Sequence, residues 1–245
     1  MKFSDTHLCV LRKTISETRA PWRGRVPIEW FNAILNTPDT EPREEILNEL
    51  KLVGSCRLNR QQLRGICRDK SKDLLVAYIC TMAWGGQGAG IRIGHARDAW
   101  ARRDAIAKRL HALRTGKLTR AAAYALFTDT NCVKGLGSAY FTKLLFFFSP
   151  LKNNYIMDQW TAKSMILLTG KTDLLRMTGS WPSRSNAGED YTRFCEAIDC
   201  LAKKLDLPGD KTEELIFSIG GKGAKAGIWR RHVRDHWPEF ARANR

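Results

Sequence analysis

Two glycines one residue apart, and a single aspartate downstream of them, are the residues whose types and spacing invite chemistry. Gly135 and Gly137 bracket Leu136, and helical patterns lie on both sides. Glycine permits the left-handed or tight backbone that a hairpin between two helices demands. A helix beginning at Ser138 would aim its first N–H groups outward. With the positive end of the helix dipole they form a seat for one phosphate. Lys134 and Lys143 add charge around that seat. By itself such a turn is equally at home in an ordinary helix–turn–helix connection. The second feature follows an apolar helix (FTKLLFFF) and a polar loop (SPLKNNY). There Ile156-Met157-Asp158 opens a further helix, and Asp158 lies 21 residues beyond Gly137. Aspartate is a favoured helix N-cap, so a capping role and a chemical one are both open and can coexist.

Other candidate motifs fail on spacing. The loop WGGQGAGIRIG holds Gly85, Gly86, Gly88, Gly90 and Gly94, but Ile93 stands where GxGxxG needs its third glycine, and no βαβ pattern surrounds it. IGGKGAK has no glycine five positions before Gly221 and no Ser or Thr after Lys222, which excludes a P-loop. His232 and His236 share a helix face, yet HVRDH lacks the glutamate of a zinc protease, and a solvated surface pair is expected. Seven scattered cysteines without a CxxC pair predict reduced core thiols. No metal and no organic cofactor is expected.

The elements that must position these residues read as helices. Pro27 before IEWFNAIL and Pro42 before REEILNELK each look like a proline at the first helical position. NRQQLRGICR follows, then DLLVAYICTMAW, which is apolar nearly all round and therefore central. A long amphipathic helix is expected from His95 to Lys117, and Thr119 is placed to cap the next one. EDYTRFCEAIDCLAKKL ends near Pro208, and Asp210 with Glu213 resembles a capping box. Loops are expected at 36–41, 85–94, 149–154 and 178–188. No strand alternation closed by hairpin turns is evident. The class is all-α, and residues 1–245 are expected to form a single globular unit.

The totals narrow the partner. The chain has 245 residues, 41 Lys and Arg against 25 Asp and Glu, and a net charge of +16. Nucleic acid is the commonest partner of a folded protein this basic, ahead of a solubilising surface or an anionic membrane. Eight basic side chains fall within 97–120 (Arg97, Arg102, Arg103, Lys108, Arg109, Arg114, Lys117 and Arg120) and seven within 222–245. These two runs are the expected phosphate contacts. The N-terminal stretch carries charges where a signal peptide needs an apolar core. Leu74 to Trp84, the longest nearly apolar stretch, is too short for a membrane span. A cytoplasmic location is expected.

Val133 to Gly170 resembles the helix-hairpin-helix DNA glycosylase superfamily, whose members include 8-oxoguanine glycosylase, endonuclease III and 3-methyladenine glycosylase II. There a glycine–apolar–glycine hairpin is followed at this same distance by an apolar pair and a catalytic aspartate that caps a helix. The likeness is closest to bacterial 8-oxoguanine-glycosylase-like proteins, some of which act against phage DNA. The resemblance implies two helical lobes with a DNA and base cleft between them. It implies Lys134, Gly135, Leu136, Gly137, Ser138 and Lys143 at a DNA phosphate, and Asp158 as the catalytic carboxylate. Breaking a base–sugar bond builds positive charge on the sugar, which a nearby carboxylate stabilises. Excision also requires a pocket for an extruded base, for which Trp84, Gln87, Tyr140 and Trp160 are candidates. Three positions depart from the pattern. Ala139 stands where bifunctional members carry their Schiff-base lysine, Phe141 where a small residue is common, and Trp160 where histidine is frequent. These departures favour a monofunctional N-glycosylase, or one with an unusual base pocket; the partner expected is double-stranded DNA that carries a modified base, and the protein is expected to be a monomer. The base would be a damaged purine or a hypermodified phage base such as glucosylated 5-hydroxymethylcytosine. The rival is a non-enzymatic DNA-binding module, which would tolerate loss of Asp158.

Overall fold

Several helices begin where the sequence offers a proline or a capping side chain. The computed structural model describes residues 1–17, 22–35, 44–86, 93–218 and 226–244, and thirteen α-helices occur among them. The expected all-α class is the one the chain adopts. It divides into two compact units, Pro21–Lys152, and Asn153–Arg245 together with Met1–Ala20. The first helix, α1 (Asp5–Lys13), therefore groups with the C-terminal part.

In the Pro21–Lys152 unit, α2 (Pro27–Leu35) opens on its proline and is followed by α3 (Glu44–Val53). Helix α4 (Arg60–Arg68) is capped by Asn59, whose side chain accepts from the Gln62 N–H while the Gln62 side chain accepts from the Asn59 N–H. Such reciprocal caps are worth about 1 kcal/mol. Asp73 caps α5 (Leu74–Trp84), whose residues from Leu75 onward are all buried. That helix is central as expected, packing on α2, α3 and α4. Two further neighbours are α7 (Arg103–Thr115) and α9 (Ser138–Phe148). Phe146, Phe147 and Phe148 of α9 are buried in this core.

The long helix expected from His95 is interrupted. It is two helices, α6 (Ile93–Trp100) and α7, joined by a turn at Ala101 and Arg102. Trp100 and Ile106 are both buried. Helix α8 (Arg120–Ala125) has the Thr119 cap, which accepts from the Ala122 N–H at 3.2 Å.

Three arginines counted as phosphate contacts turn inward instead. Arg97 donates to the carbonyls of Ala33 and Ile34, Arg109 to those of Ala105, Leu126 and Asn131, and Arg114 to those of Cys67 and Lys72. Most of these carbonyls lie at helix ends, where no backbone donor of the same helix reaches them.

The other unit is organised on α10 (Gln159–Thr169), buried continuously from Thr161 to Leu168. It packs against α1, α11 (Gly188–Leu205), α12 (Gly209–Phe217) and α13 (Ile228–Ala243). The Trp229 indole N–H donates to Ser164 Oγ, which donates to the Ile216 carbonyl, tying three helices together at 2.9 Å each. The Ser4 N–H donates to the Leu168 carbonyl.

Several expectations are corrected here. The Asp210–Glu213 capping box does not form. Helix α12 starts earlier, at Gly209, where a Cβ would collide with the Tyr155 hydroxyl. Glycine at that point lets the chain turn in close. A short antiparallel ladder, β1 (Met177–Thr178) with β2 (Trp181–Pro182), occupies part of the expected 178–188 loop. Of the cysteines, all free, only Cys67, Cys80 and Cys195 are core thiols, whereas Cys9, Cys56 and Cys132 are exposed. The His232–His236 pair is not simply solvated. His236 is exposed, but His232 is half-buried, stacks on Trp229, and shares a 2.8 Å hydrogen bond with His7 of α1. Burial first, then the neighbouring His236 and His7, push the His232 pKa down to about 4. Expectations placed on 36–43, 87–92 and 219–225 lie outside the described residues. Among those described, no helix is long and apolar enough to cross a membrane.

Candidate active site

The hairpin precedes α9 in the Pro21–Lys152 unit. Gly135 adopts φ +87°, and a Cβ there would strike the His95 carbonyl, so the position demands glycine on both counts. The Leu136 N–H is already donated to the Val133 carbonyl at 3.0 Å, and the Leu136 side chain is buried. Leu136 thus anchors the turn from inside. Gly137 is the N-cap of α9 with no side-chain cap, which leaves the helix entrance to backbone donors. Lys134 pairs with Asp98 at 3.0 Å on the surface. An exposed pair of this kind is worth roughly 0–1 kcal/mol and yields readily to a phosphate.

Phe141 resolves the departure from a small residue by stacking on Phe127 and meeting Tyr124 edge-on. Lys143 is buried beside this turn. Its amine donates to the Ala139 carbonyl and lies 5.3 Å from the Tyr140 ring centroid. A Cβ on Gly85 would press on Lys143 Cδ at 2.9 Å, so the end of α5 adjoins this group. The structure thus gathers Lys143, Tyr140 and the Trp84–Gly85 corner. Trp84 itself is only 5% exposed, edge-on to Phe147 with Arg60 over its ring. Gln87 lies outside the described residues.

Asp158 belongs to the second unit, where the segment leading to it is held by tyrosines. The Tyr155 N–H donates to the Tyr191 hydroxyl, which donates back to the Tyr155 carbonyl, while the Tyr155 hydroxyl donates to Asp199 at 2.6 Å. Asp158 then caps α10. Its Oδ1 accepts from the N–H groups of Trp160 (2.7 Å) and Thr161 (3.0 Å), and its own N–H donates to Thr161 Oγ1 (2.9 Å). The side chain is 7% exposed. Every capping bond falls on Oδ1. Oδ2 takes none of them.

Residues 10–217 match the protein family described as "Putative 8-oxoguanine DNA glycosylase OGG-like protein". The chain belongs to this OGG-like family. No curated protein and no solved structure matches it. Membership makes it a DNA glycosylase-like protein and implies that it binds DNA, in keeping with the net positive charge.

Around Asp158 the OGG-like chain carries a set of groups that spacing did not reveal. Trp160 is half-buried with the Arg230 guanidinium 3.9 Å from its ring centroid, and the same guanidinium lies 5.0 Å from Phe217. The Lys163 amine lies 5.4 Å from both the Trp160 and the Trp237 rings. Sequence reasoning does not bring Lys163, Arg230, Trp237 or Phe217 to this site. A signal existed for Lys163, since Trp160 and Lys163 are three residues apart and so neighbours on one helix. Nothing local pointed to α12 and α13.

Proposed function

We propose that this protein is a monofunctional DNA N-glycosylase with Asp158 as its catalytic carboxylate. The observation that carries the reading is the division of labour within that side chain. Oδ1 is spent on the helix cap, which fixes the carboxylate, while Oδ2 is left for chemistry. A carboxylate so held stabilises the positive charge that grows on C1′ as the base departs, and orients the attacking water. Backbone donors at Gly137 and Ser138, with Lys134 and Lys143, would grip a phosphate of the duplex. Trp160 would contact the extruded base.

Ala139 supports the monofunctional assignment, because it has no amine to attack the sugar. The substrate is a damaged purine or a hypermodified phage base such as glucosylated 5-hydroxymethylcytosine. In the second case the enzyme serves defence against phage, acting in the cytoplasm as a monomer. The test is direct. Genomic DNAs carrying different modified bases are incubated with the protein, and released free base is sought by mass spectrometry. Release that disappears in Asp158→Asn is expected. Tight DNA binding without release from any of these DNAs would identify a non-enzymatic module instead.

A further inference from the structure

Lys163 is out of place for an ordinary lysine. The residue as a whole is 7% exposed, its amine keeps some contact with solvent, and among the described residues that amine has no hydrogen bond and no ion pair, only two indole rings at 5.4 Å. Lysines are almost never buried unless paired, because losing hydration without a partner is costly. Burial lowers its pKa, the Arg230 guanidinium lowers it further, and the Asp158 carboxylate acts in the opposite sense. Those are the two charges that bear on it, one from α13 and one from the head of its own helix. No charge on α1, α11 or α12 contributes. The indole faces favour the ammonium form, by about 0.5–2 kcal/mol for such contacts. The result is a proton donor weakened in its hold on the proton, in the same unit as Asp158 and sensing its charge.

We propose that Lys163 is the general acid of the Asp158 site, delivering a proton from Nζ to the departing nucleobase. This inference rests on the glycosylase reading above and extends it to the leaving group. As the C1′–N bond breaks, its electron pair goes to the base, and the Nζ proton satisfies the base at an acceptor nitrogen or oxygen. Water adds to C1′ and gives its proton to the Asp158 carboxylate. That proton returns through solvent to the Lys163 amine, so the sum is nucleotide plus water giving free base plus abasic sugar. Asp158 serves the sugar and Lys163 serves the base, the one the cap of α10 and the other the fifth residue of that helix. The partner implied is a base presenting an acceptor edge to the amine while lying against Trp160.

The experiment measures single-turnover base release against pH on two duplexes, one carrying 8-oxoguanine and one carrying glucosylated 5-hydroxymethylcytosine. Wild type, Lys163→Met, Lys163→Arg and Asp158→Asn are compared, with circular dichroism and binding to an abasic-analogue duplex as checks of fold. Wild-type release should fall on the alkaline side as the amine deprotonates. Lys163→Met should slow release by about 10²–10⁴-fold and abolish that alkaline limb. Lys163→Arg should flatten the limb too, because a guanidinium does not titrate there. A purely structural role would leave the shape of the pH profile unchanged. Lys163 variants with wild-type rate and profile, beside an inactive Asp158→Asn, would overturn this proposal and leave the glycosylase reading standing. No release by wild type from either duplex would overturn both.

Discussion

Replacing Asp158 with asparagine separates the two tasks assigned to one side chain. The cap needs an oxygen facing the Trp160 and Thr161 N–H groups, now 2.7 and 3.0 Å from Oδ1. Asparagine can present its carbonyl oxygen to both, and it ranks with aspartate as an N-cap. Its amide NH₂ then falls where Oδ2 was, turning a negative end into a positive one. Stability should therefore change by no more than a few tenths of a kcal/mol. Asp158→Ala, by contrast, removes the cap and leaves two donors unsatisfied, for about 1–2 kcal/mol. For a chain of this size that is a Tm loss of roughly 2–8 °C, measurable by thermal denaturation. Base release should drop in both variants by about 10²–10³-fold, the range seen when one charge-stabilising group is lost. Duplex binding should survive. An Asp158→Asn protein that releases base at the wild-type rate would refute the catalytic role. One as unstable as Asp158→Ala would refute the division between the two oxygens.

Gly135→Ala should destabilise the hairpin by about 1–3 kcal/mol in denaturant titrations, because φ +87° and the His95 carbonyl both exclude a Cβ. Gly137→Ala, at φ −81° with open space around it, should cost only a few tenths of a kcal/mol or up to about 1. Stability should decline on acidification from about 6.5 down towards about 4, since His232 titrates at about 4 when folded and at its ordinary value when unfolded. The unfolded chain binds the proton first, so the folded state loses ground as pH falls, and His232→Phe should flatten that slope in pH-dependent melting. Borohydride should trap no covalent protein–DNA adduct, with strand breaks appearing only after heat or alkali. A trapped band abolished by Lys143→Met or Lys163→Met would show an imine and end the monofunctional assignment.

The helices were legible because their signals are local. Pro27, Asn59, Asp73, Thr119 and Asp158 each act within three residues of themselves, so spacing alone places them. Helix α1, by contrast, was not anticipated. Only Leu8 and Leu11 of it are buried, too little for its pattern to stand out.

What the chain hides is the fate of its positive charge. Arg97 reaches a carbonyl 63 residues away, and Arg114 reaches one 47 residues away, contacts that no window on the sequence can contain. A run of basic residues along helices looks the same whether the guanidinium ends meet phosphates or the protein's own carbonyls. The net charge of +16 therefore overstates the surface free to meet DNA. The same blindness covers the surroundings of Asp158. Its position was readable from a 21-residue interval, whereas Arg230 and Trp237 arrive from a helix some 70 residues later in the chain. A carboxylate can be recognised by its cap, because a cap is built from the next three residues. The groups that tune the chemistry beside it are assembled by packing, and they become visible only when α13 is laid against α10.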